Sequence, residues 1–508
     1  MNFQSVIFLC LFLPSALLAH WLSRRRAGAQ NLVLALTGAL FFWSWTPHLL
    51  PLFLLTLAVN FGSALALDRQ GTGGAPGAGE GTAVAGQGST APDPAHAAAA
   101  ATRRRAHAIL AAAVTYNLLQ LFAFKYLGFA TRSASGFLGA LGISATLSLP
   151  ALAVPVGIGF WTLQLVGYLI DVFHGRIRAC RSPLAFAAFG SFFPQLLAGP
   201  IARSDLLGQL AAPRVAKLEQ IQTGAHRFFR GFVLRFLIAG SLGEGLVDPI
   251  FTGAGQMSPA LHWLALAAYA LQVFSDFAGY SEMAIGCALL FGVKLRENFD
   301  FPFLAGNLME LWKRWHMTLT NWLFDYIYSP LMTGSGRLRG RFDLGFLLTF
   351  LVSGLWHGAA WTFVLWGALQ GLGLAVHRRF DEAYRGLCRR DRVWVARRKT
   401  RSYRGAAWIV TQGFFMLSLI PFRSSSMNQA GAYALGLFRG GGASLPVLGL
   451  LKTGNLFFCV ALLVAWHALR GRTLAVPAPA RGLAYGLLIV YMAIFMPLAT
   501  GTFIYAQF

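Results

Sequence analysis

Long apolar runs, separated by short polar or basic segments, recur along the whole chain. A helix needs roughly 20 apolar residues to cross about 30 Å of hydrocarbon. Some of the runs are shorter or are interrupted by Gly and Pro, so re-entrant segments are expected beside true spans. The pattern predicts one all-α integral membrane domain over residues 1–508. The runs lie at residues 3–21, 31–46, 48–67, 106–128, 151–173, 184–200, 227–248, 259–274, 277–293, 343–356, 359–377, 406–422, 454–470 and 482–503.

Composition and charge support a membrane protein. Of the 508 residues, 56% are apolar and only 12% are charged, against about 25% charged in soluble proteins. The net charge of +24 comes largely from basic clusters between apolar runs, which mark cytoplasmic loops and argue against nucleic-acid binding. Because Arg24–Arg26 follow the first run and no basic residue precedes it, we expect an uncleaved anchor with a periplasmic N-terminus. The other basic clusters are Arg103–Arg105, Arg176–Arg178, Arg337–Arg341 and Arg378–Arg404.

Two polar segments are predicted to be cytoplasmic loops. Residues 68–105 are of low complexity and cannot bury a core. Residues 378–404 carry eleven Lys and Arg side chains, which fits either contact with anionic lipid headgroups or a dock for an acidic carrier or a phosphate-bearing donor. The five cysteines form no CxxC pair, so neither a disulfide framework nor a thiolate metal site is expected.

Ionisable residues inside apolar segments are candidates for function because burying them costs several kcal/mol. Asp276 and Glu282 interrupt an apolar stretch, with Tyr280 between them. Glu282 shares a helical stripe with Ser275, Gly279 and Gly286. The two acids are therefore either neutralised groups at a close helix contact or the polar wall of a substrate cavity.

The aromatic stretch 298–330 has His316 at its centre, flanked by Trp312, Arg314 and Trp315. Its mixed composition is typical of a helix that lies at the interface or dips into the membrane. A single interfacial histidine serves a structural role more often than a catalytic one. From this segment alone, both roles stay open.

His357 follows Trp356 in an apolar run between Gly354 and Gly358. Burial disfavours a charged imidazole, and its ring nitrogens need partners. A neutral imidazole is what a general base requires. Gly358 removes a side chain next to the ring, which we expect to leave room for a substrate.

The reaction class follows from what two histidines can do. The sequence contains no HExxH or HxxxH pattern, which would indicate a metal site. It also contains no GxSxG motif, which would indicate a serine nucleophile. Acyl transfer to a hydroxyl needs a base for the hydroxyl proton and a donor that steadies the oxyanion. Two histidines can fill these roles.

Five stretches between about residues 150 and 375 resemble, in order, the membrane-bound O-acyltransferase family and its bacterial alginate O-acetylase branch. The resemblance places the family core at 150–375. The stretches are VPVGIGFWTLQLVGYLIDVFHG (154–175), FFPQLLAGPIARSDLL (192–207), FSDFAGYSEMAIGCALLFGVKLRENFDFPF (274–303), ELWKRWHMTLTNWLFDYIYSPL (310–331) and LVSGLWHGAAWTFVLWGALQG (351–371).

The resemblance implies a ring of about 11–14 spanning and re-entrant helices around a central funnel. His357 would be the principal catalytic base, and His316 would orient the acyl group or stabilise the oxyanion. Trp312 and Trp315 would shape the funnel. The residues expected to bind substrate or line the cavity are Asp276, Tyr280, Glu282, Trp312, Arg314, Trp315 and Trp356.

The implied enzyme lies in a bacterial inner membrane and binds no cofactor. Its donor would be acetyl-CoA or another acyl thioester, or an acyl carrier, on the cytoplasmic side. Its acceptor would be a cell-surface polysaccharide similar to alginate, reached directly or through a periplasmic acetyltransferase. D-alanyl transfer to teichoic acid and acetylation of peptidoglycan or cellulose are alternatives by the same mechanism. A transporter is an alternative from another class, although no repeated half with matching broken helices is evident.

Overall fold

A computed structural model describes residues 3, 5–70, 94–143, 152–253, 257–439, 441, 450–469 and 477–497. These residues form helices joined by turns and short extended segments, which confirms the all-α prediction. The chain divides into two compact units. One contains Met1–Ile221 and Ala288–Leu295, and the other contains Gln222–Cys287 and Arg296–Phe508. A single domain over 1–508, a core at 150–375 and a ring around a funnel stay predictions.

Polar contacts join the helices of the first unit as well as apolar ones. Asn60 and Asn117 lie on neighbouring helices and exchange two side-chain hydrogen bonds, of 3.2 and 2.9 Å. Such contacts are a common way to join helices inside a bilayer. The helices are α1 (Leu13–Leu22), α2 (Ala27–Trp43), α3 (Leu50–Arg69), α4 (Pro94–Leu121), α5 (Leu127–Ala140), α6 (Ile158–Phe173), α7 (Pro183–Ser191), α8 (Phe193–Leu196) and α9 (Ser204–Leu210).

The second unit contains every predicted site residue. Its helices begin with α10 (Leu218–Phe232), whose first turn belongs to the first unit, and include the long α13, whose last turn does too. The others are α11 (Gly240–Leu242), α12 (Asp248–Thr252), α13 (Pro259–Leu290), α14 (Leu308–Trp312), α15 (Met317–Leu323), α16 (Ser329–Thr333), α17 (Phe342–His357), α18 (Trp361–Arg390), α19 (Arg392–Lys399), α20 (Arg401–Arg423), α21 (Met427–Gly436), α22 (Leu450–Ala468) and α23 (Ala478–Phe495).

Short π-helical and 3₁₀ segments connect several of these helices. A π segment, Val233–Ala239, continues α10, and a 3₁₀ turn, Pro302–Leu304, precedes α14. The other segments of this kind are Ile7–Phe12, Pro47–Leu49, Phe122–Tyr126, Gly243–Val247 and Phe324–Tyr328.

Within the described residues, four helical stretches are long and apolar enough to cross a bilayer. They are Pro47–Arg69, Ala98–Ala140, Arg401–Arg423 and Leu451–Ala468. Shorter apolar helices, α17 among them, accompany these stretches. The chain is a polytopic membrane protein, and the short helices fit the expectation of segments that do not cross alone.

The long helix α13 differs from its prediction. Two apolar runs, 259–274 and 277–293, were expected as separate segments on either side of Ser275 and Asp276. The structure instead has one continuous helix, Pro259–Leu290. Neither residue between the runs breaks a helix as Gly or Pro does, and Asp276 is neutralised by an ion pair with Arg235.

Both predicted cytoplasmic loops contain helix. In 68–105, α4 already begins at Pro94, because an alanine-rich run has high helix propensity; residues 71–93 lie outside the described part. In 378–404, α18, α19 and α20 follow one another directly. Asp391 and Thr400 cap the second and third of these helices, accepting bonds from the backbone N–H groups of Val393 and Tyr403.

Candidate active site

His316 stands between α14 and α15 in an unusual backbone conformation. It caps the N-terminus of α15 with φ 42° and ψ 51°, a left-handed conformation that few residues other than Gly adopt, although His is enriched among them. The segment before α14 holds this turn. Met317 N–H donates to Asn298 O at 2.8 Å, and Asp300 N–H donates to Arg314 O at 2.9 Å. Strained backbone of this kind is common at functional sites.

Asn298 fixes the orientation of the His316 ring. His316 is 1% exposed, and its Nδ1 lies 3.0 Å from Asn298 Oδ1. The same oxygen accepts hydrogen bonds from Thr318 N–H at 3.3 Å and from Thr318 Oγ1 at 2.9 Å. Because a backbone N–H can only donate, the amide orientation is settled and Nδ1 of His316 carries the proton.

The protonation of His316 leaves Nε2 as an acceptor. His316 lies outside the apolar membrane-spanning helices, and burial among protein side chains lowers its pKa to about 3. The ring is therefore neutral at physiological pH. With the single proton on Nδ1, the lone pair is on Nε2.

The helix α13 supports this histidine from the other side. The Phe277 ring lies edge-on to the His316 ring, with centroids 4.5 Å apart. One turn later, Ser281 Oγ accepts a hydrogen bond of 3.0 Å from Asn298 Nδ2. Tyr280 is buried on the same helix. Within α13, Phe277 thus contacts His316 directly, and Ser281 contacts its partner Asn298.

His357 is the last residue of α17 and lies in an aromatic enclosure. It is 3% exposed, and its ring centroid lies 5.0 Å from Trp356, 5.0 Å from Trp366 and 5.3 Å from Phe422. The centroids of His316 and His357 are 6.3 Å apart. The structure therefore brings the two predicted histidines together, close enough to act on one substrate group.

The tight hairpin of α17 and α18 positions His357. A Cβ on Gly354 would lie 2.2 Å from the Phe363 carbonyl oxygen, so only glycine allows this approach. A Cβ on Gly358 would lie 2.1 Å from the Phe363 ring. The expected room for a substrate beside Gly358 is therefore wrong, because Phe363 fills that space.

One of the predicted tryptophans, Trp356, borders the histidine pair, and another, Trp312, lies behind Trp366. Trp356 lies beside both rings, 5.8 Å from His316 and 5.0 Å from His357 between centroids. Trp312 lies one ring further out, 5.9 Å from Trp366. Its indole N–H donates to Gln370 Oε1 at 3.3 Å, which connects α14 to α18.

Trp315 and Arg314 pack into the structure around His316. The Trp315 ring lies 5.0 Å from Phe415 between centroids. Arg314 donates to Glu310 Oε1 at 2.6 Å and lies 3.9 Å from Asp300 Oδ2. Both residues brace the short segments on either side of α14.

Asp276 and Glu282 form ion pairs with arginines of α10 and the π segment after it. Asp276 pairs with Arg235. Glu282 accepts two hydrogen bonds of 2.8 Å from Arg227, which also donates two bonds of 2.6 Å to Glu297. Of the alternatives that the sequence left open, this geometry is that of neutralised acids at a helix contact.

Sequence reasoning missed Asn298, Trp366 and the arginine partners. The arginines had a signal: Arg227 and Arg235 lie in an apolar run and need acids nearby. The other two had none, because their roles depend on contacts with residues distant in sequence. Among the described residues, no group of three His, Cys, Asp or Glu side chains is placed to hold a metal ion.

The described helices form a polytopic membrane protein in which two buried histidines lie side by side, and sequence comparison identifies the family. The model of the membrane-bound O-acyltransferase family matches residues 177–420. A probable alginate O-acetylase of Azotobacter vinelandii is 31% identical over 466 residues, which cover 91% of this chain and 83% of that protein. This chain belongs to the membrane-bound O-acyltransferase family and is an O-acyltransferase.

Other relatives act on different polymers. The peptidoglycan O-acetyltransferase of Helicobacter pylori is 29% identical over 483 residues, covering 87% of this chain and 81% of that protein. The teichoic acid D-alanyltransferase of Bacillus subtilis is 27% identical over 238 residues, covering 45% and 60%. Family membership decides for an enzyme over a transporter.

Proposed function

We propose that this enzyme transfers an acetyl group from a cytoplasmic thioester to hydroxyls of an alginate-like cell-surface polysaccharide, directly or through a periplasmic acetyltransferase. The observation that carries the proposal is the pair of buried imidazoles 6.3 Å apart. Matches to alginate O-acetylases cover most of the chain, whereas the D-alanyltransferase match covers 45% of it. This difference favours acetyl transfer to a polysaccharide over D-alanyl transfer.

His357 is the general base of the proposed reaction. Its neutral imidazole takes the proton of an acceptor hydroxyl, and the hydroxyl oxygen forms a bond to the thioester carbonyl carbon. The tetrahedral intermediate collapses by breaking the C–S bond. The imidazolium then gives its proton to the departing thiolate, so His357 ends the cycle neutral.

His316 takes a narrower role than the sequence implied. Its Nδ1–H donates a hydrogen bond to Asn298 Oδ1. The unprotonated Nε2 can therefore accept a hydrogen bond but cannot donate one. A neutral ring in this state orients the acceptor by taking a hydrogen bond from a sugar hydroxyl. It does not stabilise an oxyanion, which needs a donor.

The helical basic segment 378–404 marks the side of the donor. Arg378 and Arg379 pair with Asp343, while Arg389 and Arg390 are exposed. Exposed arginines at the end of a long helix fit the cytoplasmic face of a bacterial inner membrane, with the N-terminus in the periplasm. Acetyl-CoA, which carries phosphates, is the first donor to test, and an acidic acyl carrier is the second.

The test is the ester content of cell-surface polysaccharide, measured by alkaline release and mass spectrometry. Cells would carry the wild type, His357→Ala or His316→Ala at matched membrane abundance. We expect the released acid to be acetic acid and both variants to lose it. Unchanged ester content in both variants would overturn the proposal, and release of alanine would replace acetyl by D-alanyl transfer.

A further inference from the structure

Trp366 has a buried indole N–H for which the described part of the chain offers no hydrogen-bond partner. The residue is 2% exposed. The neighbouring Trp312 differs, since its N–H donates to Gln370. A buried donor without a partner destabilises a protein, and phenylalanine would fill an apolar site without that penalty. The N–H of Trp366 is therefore a candidate hydrogen-bond donor to a substrate group.

The position of Trp366 is at the reaction centre. Its ring is perpendicular to that of His357, with an angle of 90° and 5.0 Å between centroids. Phe422 covers it on another side at 5.2 Å. One turn earlier on the same face of α18, the hydroxyl of Thr362 is also buried without a partner among the described residues. This face of α18 thus carries two buried polar groups without a partner in the described part of the chain, and one of them, Trp366, lies beside the predicted base.

The proposed reaction needs a donor at this place. Attack on a thioester puts negative charge on the carbonyl oxygen, and a fixed N–H in an enclosed site stabilises that charge. His316 does not supply the donor, because its single ring N–H already donates a hydrogen bond to Asn298. An indole N–H can only donate a hydrogen bond, so Trp366 cannot act as a base.

We propose that the Trp366 indole N–H donates a hydrogen bond to the carbonyl oxygen of the acyl thioester and to the oxyanion formed from it. The inference rests on the proposed function. As the acceptor oxygen bonds to the carbonyl carbon, the carbonyl π electrons move onto the oxygen that Trp366 holds. They return when the C–S bond breaks. Trp366 gives up no proton at any stage.

The test replaces Trp366 by Phe in the full-length protein reconstituted in lipid vesicles. Thiol release from acetyl-CoA would be measured with alginate oligosaccharide as the acceptor. Loss of one oxyanion donor lowers kcat by about 10²- to 10³-fold. We expect that fall with little change in the KM for acetyl-CoA, since the bond strengthens in the transition state.

Trp312→Phe is the matched control for stability. Both variants lose the same ring volume, but only Trp312→Phe leaves the Gln370 oxygen without its donor. We therefore expect Trp366→Phe to lower the thermal midpoint less than Trp312→Phe does.

Two outcomes overturn the role of Trp366. One is a kcat for Trp366→Phe within about threefold of the wild type while His357→Ala is inactive. The other is a fall in thermal midpoint as large as that of Trp312→Phe, because it would reveal a structural partner. If His357→Ala stays fully active, the proposed function fails instead, and the two failures are distinguishable.

Discussion

Replacing Asn298 by Ala should remove the hydrogen bond that orients the His316 ring. The amide makes four hydrogen bonds, to the His316 ring, to Thr318 N–H, to the Thr318 hydroxyl and to Ser281. Each buried bond contributes about 1 kcal/mol, and the groups left behind are buried. We therefore expect Asn298→Ala to lower the free energy of unfolding by about 4 kcal/mol.

The loss of function should exceed what the loss of folded protein explains. Asn298→Ala removes the oxygen that accepts the Nδ1 proton of His316, so the preference for this tautomer and ring orientation should weaken. Acetyl transfer per folded molecule should fall by about tenfold or more, since misplaced catalytic groups are costly. The assay is thiol release from acetyl-CoA. The rate is divided by the fraction of the protein that remains folded after heating in detergent.

Thr318→Val is the control for Asn298→Ala. It removes the hydroxyl bond to Asn298 and leaves the bond between Asn298 and His316 in place. About 1 kcal/mol of stability should be lost, and activity per folded molecule should be retained. Equal activity per folded molecule for Asn298→Ala and Thr318→Val would refute the positioning of His316 by Asn298.

Two further changes test the packing around the site. Gly354→Ala should leave little folded protein after heating, because its Cβ would lie 2.2 Å from the Phe363 carbonyl oxygen. Gly413→Ala should be neutral, because its Cβ would meet nothing within 4 Å. Equal melting of the two variants would contradict the close approach of the helices at Gly354. Glu282→Gln should lower the free energy of unfolding by about 2 kcal/mol by weakening the ion pair with Arg227, while activity per folded molecule is kept. A loss of activity per folded molecule would instead indicate that Glu282 lines the substrate cavity.

The apolar runs predicted the all-α membrane fold because a bilayer requires helices with satisfied backbone. The same pattern misplaced element boundaries. Runs 259–274 and 277–293 are one helix, since hydropathy registers the charge on Asp276 but not the Arg235 side chain that neutralises it. Arg235 is 41 residues away in sequence, and periodicity carries no information about such partners.

The histidine site was predictable in part, for a physical reason. A histidine inside an apolar run needs an explanation, so His357 was found from its surroundings. His316 lies in a mixed aromatic stretch that left its role open, and its predicted role came from the family resemblance. Their distance, the protonated nitrogen of His316 and the support from Asn298 depend on how separate segments pack. The same holds for Gly358, where only the fold reveals that Phe363 occupies the space beside it.

The most direct measurement of the central claim is transfer of radiolabelled acetyl from acetyl-CoA to alginate oligosaccharide by the full-length protein in lipid vesicles. The wild type, His357→Ala and His357→Gln would be compared at equal amounts of folded protein. Removing a general base should lower the rate by about 10²- to 10⁴-fold in both variants. Transfer at the wild-type rate by either folded variant would contradict catalysis by His357 as the general base.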